Sequence, residues 1–156
     1  MTKIKTVSVS SLLPATPEQV WEHIVKVETL QYIASPYATF TPVDQSKALL
    51  WQEGEAAQFR LHLFGFLPLG VHTIRVRRFD RAAGMISTEE GNRHVPVWNH
   101  EIHIRPIEEG VRYTDTVIIG AGWKTGVVYA WSKLFYRHRQ RKWKKLLSQN
   151  NRLLPR

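Results

Sequence analysis

Between residues 56 and 120 apolar and polar side chains alternate almost without interruption, and few chains can fold in more than one way around such a run. In "AAQFRLHLF", Ala57, Phe59, Leu61 and Leu63 share one face, while Gln58, Arg60 and His62 share the other. "GVHTIRVRRF" places His72, Ile74 and Val76 against Thr73, Arg75 and Arg77. "VWNHEIHIRPI" sets Trp98, His100, Ile102 and Ile104 opposite Asn99, Glu101, His103 and Arg105. "MISTEEGN" and "VRYTDTVIIG" complete the series, with Gly- and Pro-containing turns between the runs. A period of two with one wet face predicts a meander of antiparallel strands.

The flanking segments have different periods. "KIKTVSVSSLL" alternates and predicts a first strand. "ATPEQVWEHIVKVETL" opens a helix, with Thr16 as N-cap, Pro17 in the first helical position and Gln19 as a capping-box partner. A second short helix is expected to run to about Ile33, where "SPYATFTPVD" breaks it. From about Trp123 the spacing predicts one helix of roughly 25 residues. Val127, Trp131, Leu134, Phe135, His138 and Leu146 lie on one side of it. The prediction is therefore an α+β domain over 1–156. Its curved antiparallel sheet of about six or seven strands wraps the long C-terminal helix and leaves a cavity between them.

Charge is segregated. Residues 1–123 hold thirteen acids against twelve Lys and Arg, a net of −1. Residues 124–156 hold ten Lys and Arg and no acid. In "FYRHRQRKWKKLL" the wheel sends Arg137, Arg141 and Lys144 to water, as it does Lys133 just before, with Arg139 and Lys142 beside the apolar stripe. A solvated helix face is the first reading, helped by cations near a helix C-terminus. Weak contact with an anionic membrane is the second. No nucleic-acid module is present, and Trp143 is the one aromatic expected to be exposed for base stacking, so no specific nucleic-acid partner is expected.

The sequence has no cysteine, which excludes disulfides and thiolate metal sites. It has no apolar run long enough to span a bilayer and no signal-peptide pattern, so the cytoplasm is the expected compartment. "HEIH" puts His100 and His103 on opposite strand faces, unlike the helical zinc motif with its two His four apart, so no metal is expected. Nothing points to a cofactor.

The inward polar residues carry what chemistry there is. His72, Thr88, Glu90, His100, Tyr113, Asp115 and His138 are placed toward the sheet–helix space. A turn at Glu109–Gly110 would pair Ile104 with Asp115 and leave His100 about 13 Å from Asp115 along the sheet, at about 3.3 Å per residue. On that register a His100–Asp115 dyad is not expected. Glu90 or Thr88 is the better partner for His100, and Asp115 is expected to have a structural partner.

Five motifs, "PATPEQVWEHI", "LFGFLPLG", "VWNHEIHI", "GVRYTDTV" and "LFYRHRQRKWKKLL", together resemble the START-like superfamily, also called SRPBCC or helix-grip, and its polyketide cyclase-like bacterial members. The resemblance spans nearly the whole chain. It implies a helix-grip fold and a hydrophobic or amphipathic small-molecule ligand, lipid- or polyketide-like. The expected lining is Phe59, Leu61, His72, Ile74, Val76, Thr88, Glu90, Trp98, His100, Ile102, Tyr113, Val117, Trp131, Phe135 and His138. The alternative is a cyclase or dehydrase using His100, Glu90 or Asp115 as acid or base.

Overall fold

A computed structural model describes residues 3–46 and 50–153, with side chains as far as Gln149. Arg152 and Arg156 of the basic tail thus lie outside the described side chains. The order is β1 (Lys5–Leu13), α1 (Pro17–Ile24), α2 (Val27–Ala34), β2 (Ala38–Pro42), β3 (Ala56–Leu63), β4 (Leu67–Asp80), β5 (Met85–Gly91), β6 (Val97–Ile107), β7 (Gly110–Gly120) and α3 (Thr125–Leu153). All seven strands form one antiparallel sheet in the order β1-β7-β6-β5-β4-β3-β2. Register shifts at Leu61/His62 and Val76/Arg78 interrupt the ladders on both sides of β4. Such bulges bend a strand and add twist, which curls this sheet around α3.

The helix α1 begins as its sequence dictates. The Thr16 side chain accepts from the Gln19 backbone N–H at 3.2 Å, and the Gln19 side chain accepts from the Thr16 N–H at 3.0 Å. This reciprocal cap, with Pro17 at the start, satisfies donors that a helix end leaves open. α1 and α2 carry the chain from one edge strand, β1, to the other, β2. Their buried residues Val20, Trp21, Ile24, Val27 and Ile33 join the interior.

The segment expected only to break α2 also contains β2. Ala38 and Phe40 alternate inward, and Pro42 ends the strand. Its five residues are short for a periodicity signal, and a proline is tolerated because this is an edge strand.

The β6–β7 turn corrects the expected register. Ile107 pairs with Gly110, so the turn residues are Glu108 and Glu109. Gly110 belongs to β7, with φ +147°, and a Cβ there would run into the Leu13 carbonyl of β1. Ile102 therefore faces Asp115, and His100 faces Val117.

A single 3-10 turn, Gly122–Lys124, precedes α3, so the helix starts two residues later than the spacing predicts. Its inward face also differs. Ser132, Phe135, Tyr136, Arg139, Gln140, Trp143 and Leu147 are buried, whereas Val127 and Leu134 are exposed. Arg137, Arg141 and Lys144 are exposed. Trp143, expected at the surface, is wholly buried against Tyr113, ring centroids 5.5 Å apart. The shift is a rotation of the stripe by about one residue, which hydrophobic spacing alone resolves poorly when polar Arg139 and Gln140 sit within it.

Candidate functional site

α3 packs most closely on β1, β7 and α2. Over β3, β4 and β5 it stands away from the sheet, and a cavity of about 280 Å³ remains there. The walls are mainly apolar: Leu61 and Ile74 from the sheet, Trp98 from β6, and Trp131 and Phe135 from α3. Trp131 stacks on Phe135 with centroids 4.7 Å apart, and the Trp98 indole N–H donates to the Tyr136 hydroxyl at 3.0 Å. These contacts hold the aromatic wall in place without filling the space.

Of the expected lining, Leu61, His72, Ile74, Val76, Thr88, Glu90, Trp98, His100, Ile102, Trp131 and Phe135 reach the cavity. Four do not. Phe59 and Val117 are core residues packed outside it. Tyr113 lies in a second cluster with Leu13, Trp21 and Trp143. His138 turns toward α2's end, where its Nε2 donates to the Ser35 carbonyl at 2.7 Å and its ring stacks on Tyr37 at 4.4 Å. Strand parity names a face but not a position along it, and the cavity occupies only part of that face.

The inward polar residues form one connected chain. His72 Nε2 donates to Glu90 Oε1 at 3.0 Å, and Asn92 Nδ2 donates to His72 Nδ1 at 3.0 Å. The Thr88 hydroxyl donates to Glu90 Oε2 at 2.6 Å. His100 Nδ1 faces the same carboxylate oxygen at 3.7 Å. On its other side, His100 Nε2 donates to Asp115 Oδ1 at 2.7 Å. Asp115 Oδ2 accepts from Gln140 Nε2 at 3.0 Å, and Gln140 also reaches the Val9 carbonyl and the Ser11 hydroxyl. The His100–Asp115 pair, not expected from the sequence, exists because the register moves Asp115 by two residues toward His100. Gln140 and Asn92 were not singled out in the sequence. Their only signal is a polar residue at a position whose neighbours face inward.

Electrostatics follow from this wiring. Burial alone would push the Glu90 carboxyl up, but the His100 and His72 imidazoles outweigh it and hold the group well below the ordinary range. Burial pulls His100 down, and the Asp115 and Glu90 carboxylates more than reverse that. With carboxylate oxygens facing both ring nitrogens, His100 is placed as an imidazolium. Burial also raises the Tyr136 hydroxyl well above its usual value. Arg139, buried on α3, lies over the Tyr136 ring at 5.0 Å and lines the cavity. Among the described residues no three His, Asp or Glu side chains are arranged to hold a metal ion.

Comparison with known proteins now bears on this architecture. The family model described as "Domain of unknown function (DUF8410)" matches residues 11–147. The chain belongs to the DUF8410 family. No curated protein matches its sequence. The DUF8410 chain is similar in fold to protein MLL2253 from Mesorhizobium loti, at TM-score 0.70 and 15% identity, covering 93% of this chain and 98% of that one. It is likewise similar to norcoclaurine synthase from Thalictrum flavum, solved with dopamine and hydroxybenzaldehyde. That match has TM-score 0.67 and 9% identity and covers 95% and 88% of the two chains. Ara h 8.0201 matches at TM-score 0.60 and 11% identity, over 90% and 98%. At such identities the likeness is one of fold: this DUF8410 member has the helix-grip architecture, a curved seven-stranded sheet around a long C-terminal helix.

Proposed function

We propose that this DUF8410 protein binds a hydrophobic or amphipathic small molecule in the cavity beneath α3. The observation that carries the reading is an apolar chamber of about 280 Å³ into which a few polar groups converge. That combination, and a volume near the lower end of the usual range of about 300–1,000 Å³, suits a small ligand. The START-like resemblance and the neighbour solved with dopamine and hydroxybenzaldehyde are consistent with it.

Catalysis by a cyclase or dehydrase is the competing reading, and the site supports it less. A general base needs a free lone pair and a pKa near the working pH. Both His100 nitrogens face carboxylates, and Glu90 is held low by two imidazoles. The array is wired internally, as in a structural ion-pair network.

A membrane-facing role has its own observation. Phe64, Phe66 and Leu67 at the β3–β4 hairpin are exposed, as are Trp123, Val127 and Leu134 near the start of α3. With Arg137, Arg141 and Lys144 outside, this surface suits brief contact with an anionic bilayer from which an apolar ligand enters. Trp143, the aromatic expected to be available for base stacking, is buried.

The neutral fluorophore N-phenyl-1-naphthylamine tests the binding reading. It is expected to bind one molecule per chain with a rise in fluorescence, and Leu69→Trp, at the cavity wall, is expected to block it. Absence of binding to the wild-type protein would refute the proposal.

A further inference from the structure

The polar groups of the cavity divide by element. Those on the sheet, His72, Thr88, Glu90 and His100, are partnered among themselves or with Asp115. Of those on α3, the Tyr136 hydroxyl is held by the Trp98 N–H, but Arg139 and Trp131 keep open donors. Arg139 is only 7% exposed, yet it makes no ion pair among the described residues, and its Nε has no hydrogen-bond partner. The Trp131 indole N–H, on the same helix and also lining the cavity, has none either. Asp115, Tyr136, Tyr113 and Glu90 surround Arg139 electrostatically, but Asp115 and Glu90 are already occupied by imidazoles and, at Asp115, by Gln140.

A guanidinium removed from water with no ion pair and an N–H left open is costly, because it loses hydration and gains no matched charge. Its five N–H groups form a rigid fork that fits a carboxylate bidentately. The site thus offers donors on the helix side and no unmatched carboxylate. We infer that the ligand of this cavity is an amphipathic monocarboxylic acid, its carboxylate on the Arg139 fork and its apolar body along Trp98, Trp131 and Leu69. The direction follows from exposure: Val127, at the start of α3, is 74% exposed and marks the mouth, and Arg139 lies three turns deeper. This rests on the cavity being a ligand site and specifies the chemistry it selects.

Three ten-carbon probes of equal apolar length, decanoate, 1-decanol and decylamine, separate the head group from the body. Each is titrated against N-phenyl-1-naphthylamine bound to the full chain at neutral pH. Decanoate is expected to displace the fluorophore at concentrations about tenfold below 1-decanol, a difference of one decade in affinity, with decylamine weakest. Arg139→Gln is expected to remove the decanoate advantage while leaving 1-decanol within about twofold, since only the charged contact is lost. Arg139→Lys, which keeps the charge but not the fork, is expected to recover part of it.

Equal displacement by decanoate and 1-decanol in the wild-type protein overturns the inference while leaving the binding site intact. So does an Arg139→Gln protein that keeps the full decanoate preference. If Arg139→Gln does not fold, the wild-type series decides by itself. If the fluorophore does not bind at all, the ligand-site reading falls and this inference falls with it.

Discussion

The two sides of α3 meet the same sheet in opposite ways. On the side of β1 and β7, Trp143 and Leu147 enter a packed cluster with Leu13, Trp21, Val111 and Tyr113, with Trp143 also bordering the chamber's inner end, and Gln140 ties the helix to β1 through the Val9 carbonyl. On the side of β3 to β5, Trp131 and Phe135 face a chamber. A straight helix cannot stay within packing distance of every strand of a strongly curled sheet. Where it is close, large side chains interlock and stabilise. Where it is distant, side chains of the same size leave space. The packed side is the fold's anchor, and the open side is the proposed ligand site.

The sharpest way to break this comparison is to truncate one tryptophan on each side. Trp143→Ala, which removes a wholly buried ring from the packed cluster, is expected to cost about 3–5 kcal/mol by urea unfolding. Trp131→Ala, which only enlarges an existing space, is expected to cost about half that or less. Equal losses would mean that the chamber is not open in solution.

Asp115→Asn is expected to cost about 3 kcal/mol, because it leaves the buried His100 without its closest counter-charge. Its effect should reach across the boundary, loosening Gln140 on the packed side as well. A loss below about 0.5 kcal/mol, typical of an exposed site, would show that the chain of polar contacts does not join the two regions.

Acidity and alkalinity should strike the polar chain from different ends. The paired Glu90 carboxyl is held below its ordinary value of 4.5, so its contribution is present above that value and declines as pH falls below it. His100 is held above its ordinary value of 6.5, so its contribution is complete below that value and is lost as pH rises through the raised one. Unfolding free energy measured from about pH 3 to about pH 9, a range that spans the ordinary values of both groups, is expected to fall at both ends. Glu90→Gln is expected to flatten the acidic limb. An unchanged acidic limb in that variant would assign it to other carboxylates.

The smallest effect lies outside both regions. Changing Arg137, Arg141 and Lys144 together to Gln is expected to alter stability by under about 0.5 kcal/mol for each site, since all three are exposed. The same variant is expected to lose adsorption to anionic vesicles at low salt. The wild-type protein should lose it as well near 0.15 M, where screening acts within about 8 Å.

The sequence by itself determined the fold class and every strand and helix but β2. Strand periodicity from Ala56 to Gly120, the Thr16–Gln19 cap and one long helix leave little choice but a curved sheet on α3, and most of the cavity wall follows from inward parity. Tertiary structure decided three things. The placement of the β6–β7 turn brought Asp115 to His100, because moving a turn by one residue slides the whole strand by two along its neighbour. The rotation of α3 sent Trp143 and Arg139 inward, because a helix turns its face to fit the surface it meets and a long Arg or Trp fits several positions on a wheel. The separation of α3 from β3 to β5 divided packed core from chamber, because curvature is a property of the whole sheet that no single strand's alternation encodes.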